Sequence, residues 1–85
     1  MINEVYEELK KLGYSDVNYD FVNTFPSINV RILEKGRVRI HLFDKYFEGY
    51  YGGKYWVKDK FRMIGEFTGA EIDQIVNERF EGLNA

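Results

Sequence analysis

Hydrophobic positions open the chain in a helical rhythm. Ile2, Val5, Tyr6, Leu9 and Leu12 follow the i, i+3, i+4, i+7 spacing that gathers one apolar face, and Glu4, Glu7, Glu8 and Lys11 fall on the other. Glu7 and Lys11 stand at the favourable i,i+4 spacing of an acid and a base. Gly13 suits the left-handed position just past a helix end. The rhythm then becomes alternation. Val17, Tyr19 and Phe21 alternate with Asn18 and Asp20, which predicts a half-buried strand over residues 17–22. Pro26 cannot donate to a ladder, so the next strand starts after it.

Residues 27–43 read as a hairpin. Ile28, Val30 and Ile32 alternate with Asn29, Arg31 and Leu33; Val38, Ile40 and Leu42 alternate with Arg39, His41 and Phe43. A three-residue loop, Glu34-Lys35-Gly36, puts glycine at the left-handed closing position. That loop pairs Ile32 with Val38, Val30 with Ile40 and Ile28 with Leu42, whereas a two-residue loop sets apolar against polar positions. On the opposite face Arg31 then lies across from Arg39, and Asn29 from His41. Opposed like charges destabilise a sheet, so an acid is expected nearby. Asp20 on the neighbouring strand, a ligand phosphate or a partner's carboxylate would serve.

Asp44 falls at an inward position, which predicts a bend or bulge there. Residues 46–51 continue as strand, Gly52-Gly53 turns, and residues 55–57 make a short return strand. Residues 58–65 fit either one helical turn capped by Asp59 or a short strand. The last helix is well marked. Thr68 and Glu71 form a T-x-x-E capping box, and Phe67 and Ile72 hold the two positions of a hydrophobic staple. Ile72, Ile75, Val76, Phe80 and Leu83 share a face, Glu71, Asp73, Gln74, Glu78 and Glu81 lie elsewhere, and Gly82 is placed to end the helix. The order predicts one α+β domain over residues 1–85. It has two layers: an N-terminal helix, an antiparallel sheet of three to five strands, and a C-terminal helix, with both helices on one sheet face. The other face is expected to be exposed. It would carry Asn29, Arg31, Arg39, His41, Phe43 and some of the rings between Tyr50 and Trp56.

Composition narrows the chemistry. With 85 residues, the chain buries only about 60–65% of its unfolded surface, so its core is thin. The absence of cysteine excludes disulfides, thiolate zinc sites, iron–sulfur clusters and thiol catalysis, and tilts the expectation toward the cytoplasm. The N-terminal segment has no apolar signal region, and no apolar run approaches the ~20 residues that span a bilayer, so no membrane partner is expected. The net charge of −2 conceals a division. Residues 1–30 carry two bases and five acids, residues 31–62 nine bases and four acids, and residues 63–85 one base and five acids. A basic centre thus sits between acidic ends.

That centre also holds eight of the fifteen aromatics and the only tryptophan, between His41 and Phe61. Aromatics among bases can stack on nucleobases, anchor a partner protein or fill a core. One histidine, two serines and no H-x-x-x-H pair or Gly-rich phosphate loop make no catalytic, metal or cofactor site, so no enzyme, metal or cofactor is expected. His41 among arginines and tyrosines is the nearest approach to the groups small RNases use. The binding set read from the chain is Arg31, Arg39, His41, Tyr50, Tyr51, Tyr55, Trp56 and Lys58. It would serve a protein partner or, as the alternative, single-stranded nucleic acid on a basic, aromatic sheet face. An exposed edge strand would also allow a homodimer.

In size, Asn/Lys/Tyr/Ile-rich low-Pro composition and helix–strands–helix order, the chain resembles small phage-encoded inhibitors, the Cas9-blocking anti-CRISPR proteins among them. The resemblance covers the whole chain and carries no residue-level motif. It implies a non-enzymatic protein-binding module that blocks a nucleic-acid-handling protein, such as a CRISPR–Cas effector, in a bacterial cytoplasm. Nucleic-acid mimics among such inhibitors are strongly acidic, and the basic centre here departs from that pattern. The acidic helices could still engage a basic groove.

Overall fold

The computed structural model describes residues 2–17, 31–43, 46–52, 57–62 and 67–83. Helix α1 (Ile2–Lys11) leads to β1 (Ser15–Asp16), β2 (Arg31–Lys35), β3 (Val38–Leu42), β4 (Tyr46–Tyr51), β5 (Val57–Arg62) and helix α2 (Gly69–Arg79), followed by a 3-10 turn at Glu81–Leu83. The strands form one antiparallel sheet in the order β1-β2-β3-β4-β5. Both helices cover one face of it. Val5 and Leu9 of α1 and Ile72 and Val76 of α2 meet Leu33, Val38, Ile40, Leu42, Phe47 and Tyr51 in a single core. The predicted α+β architecture, with both helices on one sheet face, is the one observed.

Local sequence explains the end of α1 and the start of α2. Gly13 adopts φ 103°. Its N–H bonds to Lys10 O at 3.0 Å and the Tyr14 N–H to Leu9 O at 3.1 Å, the pair of bonds of a Schellman motif. The motif turns the chain so that Tyr14 packs with Leu9 in the core. At the start of α2, Thr68 Oγ1 accepts from the Glu71 N–H, and Glu71 Oε1 accepts from the Thr68 N–H, both at 3.1 Å. The capping box is complete, and Phe67 packs on the core beside Phe47. Helix α2 stops at Arg79 with Phe80 as its C-cap, so Gly82 lies in the 3-10 turn beyond the helix it was expected to end. Among the described residues no ion pair joins Glu7 to Lys11.

The sheet departs from expectation at three places. The first strand is the two residues Ser15–Asp16, with Val17 N donating to Ile32 O at 2.8 Å; residues 18–22 of the predicted strand lie outside the described residues. The β2–β3 turn has two residues, Gly36 at φ 60° and Arg37, rather than three. Glycine at the first central position with positive φ is the mark of a type II′ hairpin, whose twist matches that of the strands. Lys35 therefore opposes Val38, Leu33 opposes Ile40, and Arg31 opposes Leu42. Leu33 is 0% exposed in the helix-side core, and Ile32, 1% exposed, is buried on the other face. Because both faces of β2 are covered here, alternation could not choose the register. Finally, β5 begins at Val57 and runs to Arg62, which makes most of the ambiguous 58–65 segment strand. Asp44, Gly53, Tyr55 and the hairpin positions 27–30 lie outside the described residues.

The helices meet at Gly69. A Cβ there would lie 2.6 Å from Glu8 Cβ and 3.0 Å from the Leu9 nitrogen, and the Gly69 N–H donates to Glu8 Oε1 at 2.7 Å. The absent side chain lets the backbones approach, and the carboxylate of α1 then serves the positive end of α2. We expect Gly69→Ala to destabilise the domain by about 1–3 kcal/mol, read as a lower urea midpoint at unchanged slope. A midpoint equal to wild type would contradict the close contact.

A second tie joins the α1 cap to α2. Tyr14 Oη donates to Asp73 Oδ1 at 2.6 Å, and Asn77 Nδ2 donates to the same oxygen at 2.8 Å. Burial, and then the hydrogen bond and charge of Asp73, raise the Tyr14 pKa well above the ordinary tyrosine value. Because the folded value lies above the unfolded one, the contribution is full below about pH 10 and is lost as pH rises toward the folded value. Wild-type stability should fall across that alkaline window more steeply than that of Tyr14→Phe. At neutral pH the variant should be less stable by about 1–3 kcal/mol in urea unfolding.

Candidate functional site

Strand parity assigns the described side chains of β2, β3 and β4 to a face. Across the two-residue turn, Leu33, Val38, Ile40, Leu42, Phe47 and Tyr51 face the helices, while Glu34, Arg39, His41, Glu48 and Tyr50 face the other way. The expected basic, aromatic face is therefore divided. Arg31 lies on the helix side, its guanidinium 5.0 Å from the centre of the Tyr6 ring. Tyr51 is buried in the helix-side core, its ring 5.8 Å from that of Phe80. Arg39, His41 and Tyr50 share the far face. Lys58 has its backbone opposite Tyr50 in β5, and Tyr55 and Trp56 lie outside the described residues.

Across β2–β4, the described polar groups of the far face pair from strand to strand. Arg39 Nε donates to Glu34 Oε2 at 2.6 Å, directly across the β2–β3 pair. The expected Arg31–Arg39 opposition is thus replaced by an acid–base pair, and the acid is Glu34. One strand further, His41 opposes Glu48, with Nδ1 3.8 Å from Oε1. Tyr50 Oη donates to the same Oε1 at 3.0 Å, and its ring lies 4.4 Å from the His41 ring at a 36° tilt. His41, expected as a solvated strand histidine, is only 8% exposed. With Ile32 buried beside it, this part of the face is shielded from solvent. Arg39 and Tyr50 are thus engaged with the acids Glu34 and Glu48, which leaves less of them for phosphates and bases.

Two features escaped the sequence reading. The three-residue loop places Glu34 in the turn, and its charge complements Arg39 only in the two-residue register. The like-charge clash of the three-residue register was itself the signal against that register. Glu48 meets His41 only through the β3–β4 register, beside which Phe43 N donates to Tyr46 O at 2.9 Å.

The outer surface of the helices is the contrasting region. Glu4 and Glu7 of α1, Glu71 and Glu78 of α2, and Glu81 are exposed. Lys10, Lys11 and Arg79 are also exposed there, and Lys10 and Arg79 each lie over an aromatic ring, Tyr6 at 5.1 Å and Phe80 at 5.4 Å. Leu12, at 37% exposure, is the exposed large hydrophobic residue among those described. It borders a small notch of about 190 Å³ with Glu8, Lys11 and Ala70. The described residues hold no cluster of His, Asp and Glu able to bind a metal ion, and no helix long and apolar enough to cross a membrane.

The Glu34–Arg39 pair, two to three parts in ten exposed, should couple by about 0.5–1.5 kcal/mol in a double-mutant cycle of Glu34→Gln and Arg39→Gln followed by urea unfolding. A coupling near zero would mean that the pair does not set the hairpin register.

No protein-family model, curated protein or solved structure matches the chain.

Proposed function

We propose that this chain is a non-enzymatic protein-binding module that presents its helical layer to a basic surface on a larger, nucleic-acid-handling protein. A small phage or mobile-element inhibitor acting on a CRISPR–Cas effector in a bacterial cytoplasm is the concrete form of this reading. The observation that carries it is the placement of charge. On the helical layer the exposed carboxylates Glu4, Glu7, Glu71, Glu78 and Glu81 outnumber the exposed bases Lys10, Lys11 and Arg79, whereas the described bases Arg31, Lys35 and Arg39 of the sheet are split between its two faces. A surface of net negative charge steers and orients a partner of net positive charge, and a basic nucleic-acid groove is such a partner. The alternative, direct binding of single strands, needs an open row of rings and bases. Arg39 on Glu34, Tyr50 on Glu48 and Tyr51 in the core weigh against it.

The test is competition at the effector. Guide-loaded Cas9 should bind target DNA less well in the presence of the wild-type chain. A Glu4→Lys, Glu7→Lys, Glu78→Lys variant with an unchanged circular-dichroism spectrum should be weaker by roughly tenfold or more. Added salt should weaken the effect as well. Equal potency of the variant would sink the helical-layer reading. In the parallel titration, labelled single-stranded DNA or RNA should stay unbound at low salt; tight binding that falls steeply with salt would favour the nucleic-acid reading instead.

A further inference from the structure

A cleft of about 510 Å³ lies between the β2–β3 turn and α2. Its walls are unlike in charge. On one side stand Lys35 and Arg37, either side of Gly36; on the other stand Asp73 and Asn77 of α2; Tyr14 and Tyr51 lie between. Both bases are exposed, yet both are held in place. Lys35 Nζ donates to Leu12 O at 2.7 Å and lies 5.6 Å from the centre of the Tyr14 ring. Arg37 Nε donates to Gly52 O at 2.7 Å, with its guanidinium carbon 5.2 Å from the centre of the Tyr51 ring. One bond each leaves Lys35 with two further N–H donors and Arg37 with its four terminal ones. Two long cationic side chains already tethered to backbone carbonyls lose little entropy on gripping an anion. On the far wall, Tyr14 and Asn77 donate to Asp73 Oδ1, so the second carboxylate oxygen stays available as an acceptor.

We propose that this cleft binds a small organic phosphate that also carries hydroxyl or amino donors. The phosphate would sit on Lys35 and Arg37, and a hydroxyl or amine would donate to Asp73 across the cleft. The carboxylate repels the anionic end and attracts the donor end, so the two walls fix one orientation. The volume is in the range of small-ligand pockets and far exceeds a lone phosphate. The site lies apart from the exposed helix carboxylates Glu4, Glu7 and Glu78, so it stands or falls independently of the helical-layer reading.

The probe is ribose 5-phosphate, titrated into the full-length, 15N-labelled chain. Saturable amide shifts should centre on Gly36, Arg37, Val38 and Asn77, with Kd of about 1 mM or tighter. Arg37→Gln and Lys35→Gln should each weaken binding by roughly tenfold, while Lys10→Gln on α1 should bind as wild type. If Arg37→Gln loses its dispersed spectrum, Lys35→Gln carries the same test. Ribose should give no shifts, and inorganic phosphate should bind at least several-fold more weakly. The proposal is overturned by an absence of saturable shifts, by folded Lys35→Gln and Arg37→Gln variants that bind as wild type, or by inorganic phosphate binding as tightly as the sugar phosphate.

Discussion

The contact between Gly69 and the Glu8–Leu9 turn of α1 is the constraint on which the helical layer depends. Two helices on one sheet face must share the cover of a core that an 85-residue chain can barely fill. Any side chain at residue 69 would wedge them apart, since its Cβ would meet Glu8 Cβ at 2.6 Å. Separation would open Leu9, Ile72 and Val76, each fully buried and each worth roughly 1.5–3 kcal/mol of apolar burial. The same contact lets the Glu8 carboxylate reach the Gly69 N–H, so close packing and helix capping are one interaction.

The acids divide by their place in the fold. Glu8 and Asp73 serve the α1–α2 junction, and Glu34 and Glu48 serve the far face of the sheet. These carboxylates act inside the fold. The carboxylates of Glu4, Glu7, Glu78 and Glu81 are exposed; that of Glu78 accepts from Gln74 on its own helix at 3.0 Å. An acidic pI says nothing of this division, which follows from packing alone.

How much could be read from the chain depends on the range of the determining interaction. The Gly13 cap and the Thr68–Glu71 box are set within five residues, so both helix ends were legible, apart from the C-terminus of α2. There Phe80, fully buried, turns in to the Tyr51 ring and takes the cap position before Gly82 is reached. The hairpin register was not legible by alternation, because Ile32 and Leu33 are both buried on opposite faces. Periodicity assumes that one face is wet, and β2 violates the assumption at its centre. The candidate site inherited the error. Glu34 and Glu48 became visible as partners only once the pairing was known.

Turn length decides what kind of surface the basic centre makes. A three-residue loop keeps Arg31 and Arg39 on one face. The two-residue turn through Gly36 and Arg37 reverses the parity, so that Arg31 and Lys35 point toward the helices and Arg39 points away. The four described bases Arg31, Lys35, Arg37 and Arg39 therefore do not form one patch. On the far side Arg39 is neutralised across the strand pair by Glu34; at the turn Lys35 and Arg37 are gathered at the mouth of the α2 cleft. One residue of register thus separates a broad phosphate-tracking face from a confined site for a single anion. The helices, with their exposed carboxylates, remain the more extended charged surface described for this chain.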